Sequence, residues 1–150
     1  MVHALTEAHR LLKSNGILLD LRPAASHRRA GLGEGKQWKQ VGVMRENFDD
    51  DIASDRAIKQ VTREGLFKQE SVVEFDLDRV MDILQDFRAW LDDFSTDKLP
   101  SHDWLYKRVE RALAKKPKGT KVTVRGLLRL RVMRKLSGST QQQFKTLARE

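Results

Sequence analysis

The sequence predicts an α/β protein. Three observations carry this: an apolar strand entered from a helix at the start, one strongly amphipathic helix in the middle, and a long alternating strand near the end. In the first, Leu5, Ala8, Leu11 and Leu12 recur at helical spacing across residues 1–14. Ser14, Asn15 and Gly16 then break the pattern where a left-handed residue is needed, and Ile17 to Leu21 follows as an apolar strand. A short strand that is apolar on both faces normally lies inside a parallel sheet, with helices above and below it. The expectation is a sheet that begins at one of its inner strands.

Residues 22–48 read as a long irregular stretch, with a short extended piece around Trp38, Val41 and Val43, for which Phe48 is a further candidate. Asp49, Asp50 and Asp51 supply first-turn acids for a helix that ends near Gly65 and carries Ala57, Ile58 and Val61 as its apolar stripe. A second strand is expected over about 66–75, with Phe67, Val72, Val73 and Phe75. Asp76 or Asp78 then caps a helix bearing Val80, Ile83, Leu84, Phe87, Trp90, Leu91 and Phe94. Pro100 and Ser101 open another helix, with Leu105, Val109 and Leu113 on one face, which Pro117 and Gly119 end. The last strand runs from Thr120 to Met133. Val122, Val124, Leu128, Leu130 and Val132 point one way, and Thr123, Arg125, Arg129 and Arg131 the other. Residues 137–150 read as a flexible tail.

At 150 residues the chain has room for one domain with a real core. Apolar residues make up 39% and charged residues 33%, a globular composition rather than a disordered one. No apolar run approaches the roughly 20 residues that span a bilayer. The first residues lack the pattern of a signal peptide, and the absence of cysteine removes disulfides, thiol nucleophiles and thiolate metal sites. Together these point to a cytoplasmic protein with no membrane partner. The formal charge of +8 is concentrated between residues 107 and 135, opposite an acidic segment from 46 to 103. The two regions attract each other within one domain; the alternative is a nucleic-acid surface built on Arg125, Arg129 and Arg131.

Little in the chain points to chemistry. Gly31, Gly33 and Gly35 alternate as in a phosphate or ribose cradle, but no buried strand precedes them and no helix follows, so a flexible loop is expected. His3, His9, His27 and His102 show no metal-ligand spacing. The aspartates at 49–51 and 92–93 read as helix caps and solvated charges rather than general bases. No catalytic residue is assigned. Ligands of open α/β sheets bind beyond the carboxyl ends of the strands, which makes Asp20, Arg22, His27 and Arg28 the candidate substrate-side residues.

Residues 5–21, through Glu7, Ala8, His9, Arg10, Leu11, Leu12, Lys13 and Gly16, resemble the segment of class I S-adenosylmethionine-dependent methyltransferases that leads into the fifth strand of their Rossmann-like sheet. Ser14 and Asn15 depart from the usual Pro-Gly. The resemblance implies that residues 1–136 form the C-terminal half of that fold: about three strands, with a seventh strand running antiparallel between the fifth and the sixth. It also implies that the glycine loop and acidic residue that hold the cofactor precede this segment. The expectation is a truncated gene product or one half of a split enzyme, inactive alone and binding no S-adenosylmethionine alone. Such a half leaves one edge of Ile17 to Leu21 open, so a dimer, or a partner chain covering that edge, is expected. A non-catalytic interaction subunit is a further reading.

Overall fold

The computed structural model describes residues 1–94 and 102–137. In chain order the elements are α1 (Val2–Leu11), β1 (Ile17–Pro23), β2 (Arg29–Leu32), a 3-10 turn (Gly35–Gln37), β3 (Lys39–Val43), α2 (Asp49–Arg63), β4 (Phe67–Met81), α3 (Leu84–Phe94), α4 (Asp103–Leu113) and β5 (Val122–Lys135). The protein is α/β, with a five-stranded, mostly antiparallel open sheet and flanking helices. The expected count of about three strands is corrected to five, because residues 29–32, read as loop, form a strand and the short extended piece expected around Val41 and Val43 joins the sheet as β3. Asp76, Asp78 and Val80 also belong to strand β4, so the helix begins at Leu84 instead of near them. Tail residues 138–150 and the helix-opening Pro100 and Ser101 lie outside the described residues.

The chain divides into two compact units, through both of which β4 and β5 pass. The first contains α1, β1, α2, β4 up to Phe75 and β5 from Leu128. Asn15, at φ 60°, makes the left-handed turn between α1 and β1, and Gly65, at φ 75°, makes the one after α2. Here β1 pairs antiparallel with β5, from Ile17 opposite Arg134 to Pro23 opposite Leu128. β4 also pairs with β5. Its direction follows from ion pairs that join Arg134 to Glu70 and Arg129 to Glu74, so β5 lies antiparallel to both neighbours. The core of this unit gathers Leu5, Ala57, Ile58, Val61, Phe67 and Met133, with Leu12 and Leu18 packed against it.

In the second unit, β2 pairs with β3 and with the first part of β5, both antiparallel. Its core joins Ala30, Leu32, Met44, Phe87, Leu91, Leu105, Val109, Val122 and Val124. The glycine run that read as a flexible loop is an ordered strand and turn. Gly31 lies buried under the Trp38 indole, whose Nε1–H donates to the Thr123 carbonyl at 3.2 Å. Gly33 and Gly35, at φ 90° and 50°, turn the chain into β3.

Candidate functional site

The candidate residues fall into two groups, one in each unit. Alternation along β1 puts Leu18, Asp20 and Arg22 on one side of the strand and Ile17, Leu19 and Leu21 on the other. The first side faces the helices: Leu18 reaches their core, and Asp55 of α2 meets Arg22. Arg22 donates to Asp20 through Nε at 2.7 Å and Nη2 at 3.0 Å, and Nη2 also reaches Asp55 Oδ1 at 3.2 Å. From β5, Arg131 donates to Asp20 Oδ2 at 2.9 Å and to Asp55 Oδ1 at 2.8 Å. Arg129 donates to Asp55 Oδ2 at 2.8 Å and to Glu74 Oε1 at 2.6 Å. Three guanidiniums thus meet three carboxylates, and the charges cancel.

Burial alone would raise the Asp55 pKa. The Arg131 hydrogen bond and the charges of Arg131, Arg129 and Arg22 outweigh it and hold the carboxyl below its ordinary value. A carboxylate held down in this way is a poor proton acceptor near neutral pH. The cluster is a brace between β1, β5 and α2, and Asp20 and Arg22 belong to it. Arg125, Arg129 and Arg131, which the alternative reading made a nucleic-acid surface, are likewise occupied: Arg125 is bidentate to Asp78, at 2.7 and 2.8 Å, and its guanidinium carbon lies 4.3 Å from the Trp38 ring centroid. Arginines whose charge is already matched release few counterions from a polyanion.

His27 and Arg28 lie in the second unit. Arg28 pairs with Glu46 through both its backbone N–H and its guanidinium, and its guanidinium carbon lies 4.8 Å from the Phe94 ring centroid. His27 Nδ1 accepts a hydrogen bond from the Glu46 N–H at 3.2 Å, and the imidazole lines an open cleft of about 670 Å³. Among the described residues no group of three or more His, Cys, Asp or Glu is arranged to hold a metal, and no helix is long and apolar enough to cross a membrane.

The other side of β1 carries the unexpected feature. Ile17, Leu19 and Leu21 are exposed, Leu19 by 63%. Their side of β5 presents Leu128, Leu130 and Val132, all half-buried. On β4, Val73 and Phe75 flank Glu74 and point away from Arg129, and both are exposed. In this unit the sheet face beneath the helices carries the apolar Leu18 and Met133 at one end and the charged cluster at the other, while the opposite face is apolar and open. Among the described residues β1 also has a single strand neighbour, β5.

Compared with known protein families, curated proteins and solved structures, the chain matches none.

Proposed function

We propose that these residues are the C-terminal, substrate-side half of a methyltransferase-like fold, working with a cofactor-binding half supplied by residues outside this sequence. The observation that carries the reading is the arrangement of β1, β5 and β4. β5 is hydrogen-bonded to both others and antiparallel to each, the order that the resemblance implies for the fifth, seventh and sixth strands. The open apolar side of the same three strands supports it as well. A sheet with Leu19, Leu21, Val73 and Phe75 bare on one face lacks one of the two layers that cover an α/β sheet. In this reading the missing layer belongs to the cofactor half, and its outer strand pairs along the free edge of β1.

The assembled reaction would be methyl transfer from S-adenosylmethionine to a nucleophilic atom of a substrate. Asp20 and Arg22 hold the scaffold in it, while His27 stands on a cleft wall open to a ligand. Calorimetric titration tests the assignment. The chain alone is expected to give no binding heat with S-adenosylmethionine up to millimolar concentration. One-to-one binding by these 150 residues would show that they build a cofactor pocket themselves and would overturn the half-fold reading.

A further inference from the structure

The cleft in the second unit is walled by β3 and α4. Gln40, Val41, Gly42 and Val43 come from the strand, Trp104 and Arg108 from the helix, and Arg45 and His27 close it. Four features bear on what it holds. Trp104 is 45% exposed, a large cost in apolar surface for a ring in the first turn of a helix. Arg108 follows Trp104 by four residues and so stands on the same side of α4. Arg45 and Arg108 are exposed and make no ion pair among the described residues, whereas the nearby carboxylate, Glu46, is taken by Arg28. Gly42 lets α4 pack closely on the strand and so sets where Trp104 stands: a Cβ there would lie 2.5 Å from Leu105 Cδ1 and 3.7 Å from the Trp104 ring.

The position of Arg45 is fixed from behind. The buried His102 ring places Nε2 3.0 Å from the Arg45 carbonyl, a hydrogen bond that requires a proton on that nitrogen. The result is a flat aromatic face beside two guanidiniums in a volume of about 670 Å³, within the size range of small-ligand sites. Planar aromatic groups stack on indole, and unpaired arginines select phosphate.

We infer that the cleft between β3 and α4 binds a phosphorylated nucleoside, with its base on the Trp104 ring and its phosphate on Arg45 and Arg108. The ligand is either a free nucleotide or one residue of a single-stranded nucleic acid. The inference stands apart from the methyltransferase reading, because binding is measured directly on this chain without S-adenosylmethionine.

The test titrates the full chain with adenosine 5′-monophosphate, adenosine, inorganic phosphate and a fluorescein-labelled ten-residue single-stranded RNA, by calorimetry and anisotropy. Adenosine monophosphate is expected to bind at least about tenfold more tightly than adenosine or phosphate, since each of those lacks one of the two contacts. Trp104→Ala and Arg108→Ala should each weaken it about tenfold or more, with Trp104→Phe restoring most of the loss. The exposed Lys59→Ala on α2 should leave it unchanged. Circular dichroism establishes that each variant is folded, and Trp104→Phe keeps the test valid should Trp104→Ala unfold. RNA binding much more tightly than the mononucleotide, with a steeper salt dependence, identifies a nucleic-acid strand as the source; equal affinity identifies the free nucleotide. The inference is overturned if neither ligand binds, if phosphate alone binds as well as the nucleotide, or if Lys59→Ala weakens binding as much as Arg108→Ala.

Discussion

Asp55→Asn is expected to cost about 3 kcal/mol of stability, among the largest effects of any conservative substitution in the first unit. Its carboxylate is the shared acceptor for Arg22, Arg129 and Arg131, and the Arg131 side chain is only 9% exposed. The amide keeps the shape and removes the negative charge, leaving three guanidiniums against Asp20 and Glu74 alone. Urea unfolding followed by far-UV circular dichroism should show a lower midpoint with an unchanged slope. The same residue sets a pH dependence. Because its pKa is lowered in the fold, its contribution is complete above its ordinary value near 3.8 and is lost as pH falls through the lower folded value. Asp78 adds in the same sense: the Arg125 hydrogen bond lowers its pKa against the opposing effect of burial. Wild-type stability should therefore drop in the acid range below about pH 4, and Asp55→Asn should flatten that limb.

Gly31→Val is expected to be comparably severe in the second unit, at about 3 kcal/mol. A Cβ at this position would sit 2.5 Å from the Lys39 carbonyl oxygen and 2.5 Å from Trp38 Nε1. The first is backbone of the paired strand and cannot yield, and the second is fixed by its hydrogen bond to the Thr123 carbonyl. Gly35→Ala is the contrasting substitution. Nothing lies within 4 Å of its Cβ, so only the left-handed φ of 50° costs energy, about 1 kcal/mol. Trp38, Trp90 and Trp104 all belong to the second unit, so unfolding read by tryptophan fluorescence should separate the two glycine variants.

The periodic elements were legible in the sequence. Asp49 to Arg63 and Asp103 to Leu113 form helices with the expected stripes, and β5 alternates as read. Within residues 22–48 the extended piece at Val41 and Val43 was legible, but β2 was not, because it is short and its glycine looks like loop: Gly31 is needed for the close approach of Trp38, a contact 7 residues away that no local pattern announces. Asp76 to Met81 read as helix because Val80 happens to extend the spacing of Ile83, Leu84 and Phe87, whereas pairing with β5 keeps it extended. Asp55 was missed as the hub of the ion cluster. Its signal was present, since it lies three residues before Ile58 and so on the buried stripe of α2. Trp104 and Arg108 left no such trace, because the cleft that joins them to Arg45 and His27 is made by tertiary packing of α4 on β3.

The first unit buries Leu18 and Met133 under its helices as an independent domain would, but it also buries an ion cluster there and leaves its other sheet face apolar and bare. An independent sheet buries its leucines under its helices and leaves its arginines in water. Here Asp20, Arg22, Arg129 and Arg131 are beneath α2, while Leu19, Leu21, Val73 and Phe75 are bare. In the proposed half-fold such a surface is covered by the other half, and a contiguous apolar patch left open associates with whatever apolar surface it meets, including its own copy.

Light scattering across a concentration series, comparing the wild type with Leu19→Lys/Val73→Lys, tests this most directly. The wild-type mass should rise above the 17.3 kDa of one chain as concentration increases, and the double variant should stay at that value with unchanged circular dichroism. A wild-type chain that remains a soluble monomer at high concentration would contradict the claim that this face awaits another part of the fold.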